Sequence, residues 1–284
     1  MKPQFDNQLM SSVLLWVDHT ILDKGEAYTN VSGKFYRVGD IYNGLYTYGL
    51  PFKQINADSS ILNSNIMSGI YVNNNFIVTG QSGLVDINYN EGQVYFNQNM
   101  DNYQLSGRYS IKDFNIYLTT EPEWKILFET KFDTKPKVSE GLTGLATQTR
   151  TYPAIFVRKS ESQNTPFEFG GTDNINYTIR LVILSDSLFN LDAVSSILRD
   201  KIRTFIPLVG VSEMPFTMMG GIRGSNYNYL NYSINNMPNI FIKDVLDSRV
   251  SYQNIILKEI KSLNPGIFPS LVDLELEVIR NPRI

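Results

Sequence analysis

A chain of 284 residues that is 42% hydrophobic and 19% charged has the composition of a folded globular protein, not a disordered one. Its formal net charge of −3 gives no global attraction to nucleic acid. The absence of cysteine removes disulfides, thiolate metal sites and thiol nucleophiles, and a single histidine leaves no zinc-ligand set. The N-terminal stretch MKPQFDNQLM lacks the basic flank and apolar core of a signal peptide. No apolar run approaches the ~20 residues needed to span a bilayer, so no membrane partner is expected.

In chain order, Phe5, Leu9, Val13, Trp16, Val17 and Leu22 recur at spacings of three and four, which predicts an amphipathic helix over 5–22. Asp6 is its candidate N-cap and Gly25 its candidate end. Residues 30–68 repeat tyrosine and glycine without a sustained period. That pattern predicts an extended arm that packs on its own domain or on another subunit. Residues 69–130 read as short strands. Asn73-Asn74-Asn75 and Asn90-Glu91-Gly92 mark hairpin turns, because Asn and Gly tolerate positive φ. Leu105, Gly107, Tyr109 and Ile111 alternate, as do Phe114, Ile116 and Leu118.

Residues 131–150 are polar and read as a linker. Beyond them, TYPAIFVRK and INYTIRLVIL are predicted strands. Asn190 is the candidate cap of a helix carrying Leu191, Val194, Leu198, Ile202 and Phe205 on one face, stopped by Pro207. NIFIKDV and VDLELEVI supply later strands. The acidic alternation Asp273, Glu275, Glu277 reads as a solvated face, with a partner-facing surface as the alternative.

Catalytic patterns are thin. His19 near the end of the first helix reads as a helix-end or packing residue, and no nucleophile elbow accompanies it. The break between strand and helix at 185–190 has no glycine, and Asp186 would repel a phosphate. Gly170-Gly171 and Gly220-Gly221-Ile222-Arg223-Gly224 lack the Lys-Ser/Thr pair of a P-loop and read as turns. Asp86–Asn90 begins like a calcium loop, but Glu91 stands where the sharp turn needs glycine. No pair of carboxylates is singled out for hydrolysis, which leaves an Asp/Glu hydrolase as the weakest reading. No catalytic, cofactor-binding or metal-binding residue is therefore expected.

Two segments carry a resemblance. "SGIYVNNNFIVTGQSGLVDINYNEGQVYFN" followed by "LSGRYSIKDFNIYLTT" resembles virion structural proteins of tailed bacteriophages. "TYPAIFVRKSESQNTPFEFGGTDNINYTIRLVIL", with the helix and proline after it, resembles neck and tail-terminator (head–tail connector) proteins. The Tyr152–Val157 strand and the Phe167–Gly171 turn carry much of that likeness. The resemblance implies an α+β fold of mainly antiparallel sheets. An N-terminal helix and arm (1–68) and a β-rich segment (69–135) would precede an α/β terminator-like domain (150–284). The β-rich segment and the arm depart from a minimal terminator, which is smaller.

It further implies a homo-oligomeric ring in the virion, assembled in the host cytoplasm. The ring's partners would be tail tube, sheath and head–tail connector proteins, and DNA would pass transiently without sequence reading. Aromatic density nominates Trp16, Tyr42, Tyr46, Tyr48 and Phe52 as subunit contacts. The alternative is a baseplate, fibre or carbohydrate-binding virion module that stacks sugars on tyrosine-rich loops.

Overall fold

The computed structural model describes residues 5–39, 44–128, 133–134, 151–166, 173–215, 226–236, 239–248 and 266–280. The chain opens with α1 (Phe5–Gly25), then β1 (Tyr28–Lys34), β2 (Tyr36–Arg37) and β3 (Tyr46–Gly49). The middle holds β4 (Gly69–Val72), β5 (Asn75–Val78), β6 (Leu84–Asn88), β7 (Gln93–Phe96), β8 (Leu105–Lys112) and β9 (Asn115–Leu118). After α2 (Glu123–Phe128) come β10 (Asp133–Thr134), β11 (Thr151–Tyr152), β12 (Ala154–Pro166), β13 (Asp173–Ser185) and α3 (Leu188–Arg199). The last elements are β14 (Phe205–Ile206), α4 (Tyr229–Asn235), β15 (Ile240–Ser248) and β16 (Phe268–Arg280).

These strands form three principal sheets. Two have four strands, ordered β1-β8-β4-β5 and β2-β3-β7-β6; the third has six, ordered β14-β15-β16-β13-β12-β9. The fold is α+β and mostly antiparallel; β9 runs parallel to β12, as does the short β10–β11 pair. Because β13 is antiparallel to both neighbours, the β13–α3 unit is not half of a parallel nucleotide-binding crossover.

Local chemistry explains the hairpins. Val72 pairs with Asn75, so Asn73 and Asn74 form a two-residue loop, and both have positive φ (48° and 68°). That is the primed turn whose twist matches paired strands. Asp86–Asn90 lies in β6 and the turn after it, as the failed calcium pattern predicts. In the six-stranded sheet the pleat sorts side chains between two cores. Ile155, Val157, Ile179, Leu181 and Ile183 join the large core with α1 and α3. Ala154, Phe156, Val182 and Leu184 form a smaller core with Ile126 of α2. Residues buried on both faces produce the unbroken apolar run at 181–184.

Several expectations change. The segment at 30–68 carries more regular structure than an extended arm and packs on the chain's own fold: β1 pairs along its length with β8, and β3 pairs with β7. The three expected segments also share sheets, since β9 from the middle extends the six-stranded sheet of the second half. One continuous core spans Leu9 to Val278. The first helix exists and ends at Gly25, but Leu9–Leu22 is buried on all sides except at half-buried Leu14. It is a central helix touching α3, α4, β9, β12 and β14, rather than an amphipathic one on a surface.

Asp6 lies inside the first turn of α1. It accepts hydrogen bonds from the Lys159 ammonium (2.5 Å) and the Tyr177 hydroxyl (2.7 Å), tying the helix to the sheet. α3 is capped by Ser187, whose Oγ accepts from the amide of Asn190, so Asn190 sits three residues inside the cap. The helix stops at Arg199, well before Pro207. Arg203 then takes a positive φ (61°), and the chain turns into β14. Ile202 and Phe205 consequently lie outside the helix and are exposed. Of the predicted turns, Phe167–Gly171 and Gly220–Gly224 lie outside the described residues, as does most of the 131–150 linker.

Candidate functional site

Two adjacent polar side chains on the buried helix α1, Asp18 and His19, organise the most elaborate polar cluster in the interior. Burial of such groups requires partners, and each has them. Asp18 accepts two bonds from the Lys112 ammonium at the end of β8 (2.7 and 2.8 Å) and one from the Tyr227 hydroxyl (3.0 Å). His19 Nδ1 lies 2.8 Å from Asp58 Oδ2, and the His19 ring stacks on Tyr229 at 4.4 Å. Asp58 is fully buried. Its Oδ1 accepts from the Ser60 hydroxyl (2.6 Å), the Ser60 amide (3.0 Å) and the Tyr229 amide (3.1 Å).

Local sequence explains the Asp58 loop. Asn56 Oδ1 accepts from the Asp58 amide, an Asx-type turn, and Asp58 forms a parallel bridge with Tyr227. The cluster therefore joins α1, β8, the 54–60 loop and the segment leading into α4.

The electrostatics follow from those contacts. Burial alone would raise the Asp58 carboxyl, but bonds from His19, Ser60 and the Ser60 and Tyr229 amides outweigh it and hold Asp58 below the usual carboxylate range. An ionised Asp58 can only accept, so the Nδ1 proton is donated to it and the imidazole is fixed in orientation. Burial first, then the nearby carboxylates, push the Tyr227 and Tyr229 hydroxyls well above their ordinary value.

Histidine, aspartate and serine are thus assembled, but not as a nucleophilic triad. In such triads serine and carboxylate occupy opposite ring nitrogens. Here Ser60 Oγ is 3.4 Å from Nδ1, the nitrogen already bound to Asp58, and it donates to Asp58. His19 Nε2 has no hydrogen-bond partner among the described residues. The ring borders a cleft of about 190 Å³ between α1, α4 and the 201–207 segment, walled by Trp16, Phe205, Pro207 and Tyr229.

The nominated contact residues do not come together. Trp16 is buried on the cleft wall. Tyr48 and Phe52 are buried elsewhere in the core, with the Tyr48 hydroxyl donating to Asp101 (2.8 Å). Tyr46 is half-buried beneath the Arg37 guanidinium at 4.9 Å, and Tyr42 lies outside the described residues. Trp16, Tyr48 and Phe52 thus fill the interior of the chain's own fold.

The acidic stripe also changes meaning. Asp273 is buried and accepts two bonds of 2.6 Å from Arg180, which also reaches Glu123 (2.5 Å). Sequence reasoning did not find Asp18, Asp58, Lys112, Tyr227 or Tyr229. One signal was available: the Asp-His pair interrupts the apolar run VLLWV–TIL, which places two titratable groups where burial is expected.

A second feature is a strand edge. β9 covers only Ala154–Val157 of β12, whereas β13 pairs with β12 along its whole length. Beyond Val157 the outer edge of β12 has no partner strand among the described residues, and Ser160–Thr165 are exposed. A bulge falls between Lys159 and Glu161. No protein-family model and no curated protein matches the chain.

Proposed function

We propose that the chain is a structural subunit of a tailed-phage particle at the head–tail junction, a neck or tail-terminator component that closes into a ring and lets DNA pass. The observation that carries this reading is the exposed outer edge of β12 at 160–163, which has no partner strand among the described residues, in a sheet that α3 covers on one face. Such an edge offers amides and carbonyls to the next copy, and heterologous contacts of that kind close into rings when the rotation permits. The antiparallel hairpin sheet with α3 on one face supports the terminator-like likeness of 150–284. Mild net acidity suits a wall that releases passing duplex instead of holding it.

The alternative virion module, stacking sugars on tyrosines, gains no specific support, because Tyr48, Tyr89, Tyr109 and Tyr227 are buried. Immunogold labelling of particles from an infected culture, with negative-stain imaging of the purified chain, tests the proposal. Label at the head–tail junction together with rings is the expected result. Label on fibres or baseplate, or on no particle at all, overturns it.

A further inference from the structure

We infer that the cleft beside His19 is a binding site for a small organic carboxylate with an apolar body. Three observations converge. First, His19 is about nine-tenths buried, and its Nε2 has no partner among the described residues, while Asp58 anchors the opposite nitrogen. A histidine held this firmly presents Nε2 in one direction. Second, the Lys201 side chain lines the same cleft with no ion pair or hydrogen bond among the described residues. Third, the Tyr229 hydroxyl is buried without a partner among the described residues, and Tyr229 also lines the cleft. An unsatisfied buried hydroxyl costs free energy unless something completes it.

The ligand's chemistry follows from the lining. The Lys201 ammonium and the Tyr229 hydroxyl are donors, and the ammonium carries the charge, so the complementary group is an acceptor with negative charge. Asp23 is the one carboxylate among the lining residues, and Lys24 pairs with it at 2.8 Å. An ammonium beside the imidazole disfavours a metal cation. The opposite walls are Trp16, Phe205 and Pro207, and Phe205 is more than half exposed. An exposed aromatic beside these donors matches a ligand with a charged head and a ring or short hydrocarbon. This chemistry stands independently of ring assembly.

The single histidine makes the test site-specific, because one imidazole signal reports the cleft. The full chain labelled with ¹⁵N is titrated with benzoate, benzamide and inorganic phosphate while the His19 resonances are followed. Benzoate is expected to shift them saturably, whereas benzamide, matched in shape but neutral, leaves them in place. Lys201→Gln is expected to weaken benzoate about tenfold, the scale of one charge-assisted hydrogen bond. Its amide spectrum elsewhere should stay that of the parent. Phe205→Ser should weaken benzoate but leave acetate unchanged.

Three results would overturn the assignment: no saturable shift, equal effects of benzoate and benzamide, or a Lys201→Gln variant that binds like the parent. Phosphate binding as tightly as benzoate would also overturn it, since the apolar walls would then contribute nothing.

Discussion

Replacing Lys112 with methionine probes the buried cluster directly. The Lys112 and Asp18 side chains are only 4% and 9% exposed, and their closest contact is 2.7 Å. Methionine keeps the length of the side chain but leaves the Asp18 carboxylate buried with the Tyr227 hydroxyl as its remaining partner in the cluster. Breaking a buried pair by removing one member costs about 3–5 kcal/mol, because the surviving charge is uncompensated. Unfolding entropy of about 2.1 cal/mol/K per residue over 284 residues converts that to a melting midpoint lower by about 5–8 °C.

Calorimetry with urea denaturation reads the change; the midpoint should fall while the urea slope stays constant. The double variant Asp18→Leu/Lys112→Met should recover much of the loss, since an apolar pair carries no desolvation penalty. A Lys112→Met protein melting within about 1 °C of the parent would refute the reasoning, because it would mean the pair is solvated. So would a double variant whose loss equals the sum of the two single ones.

Gly92 has a φ of +61°, and a methyl group there would collide with the Phe52 carbonyl oxygen. Gly92→Ala should therefore cost about 2 kcal/mol or more in urea denaturation, against about 1 kcal/mol for Gly80→Ala, where φ is also positive but the space is open. Asp58 titrates below its ordinary value in the folded chain, so its contribution is complete above the unfolded value of about 4 and is lost as pH falls through the lower folded value. Melting midpoints of the parent and Asp58→Asn should accordingly differ most near neutrality and converge in acid. A gap that widens below pH 4 would contradict the assignment.

The strands were legible where period-2 patterning met a turn with a definite backbone demand. Asn73 and Asn74 take the positive φ that their side chains tolerate, and β13 and β16 follow their alternation. Legibility failed where partners lie far along the chain. Asp18 and His19 look like the polar side of an amphipathic helix, yet their partners Asp58, Lys112 and Tyr227 are between 39 and 209 positions away. β2 and β3 are two and four residues long, too short to show a period.

At α3, Ser187 and Asn190 are both good caps within one turn, and sequence chose the wrong one. Ile202 and Phe205 continue the helical spacing after the backbone has left the helix, because the chain turns at Arg203 to pair β14 with β15. Aromatic abundance does not distinguish a subunit contact from a β-rich core, and Tyr48 and Phe52 lie in the core.

Self-assembly through the outer edge of β12 is proposed, and the mass of the purified full chain in solution tests it most directly. Sedimentation velocity over a wide concentration range should give a closed multiple of the 32.4 kDa subunit. A single 32.4 kDa species at every concentration would contradict it.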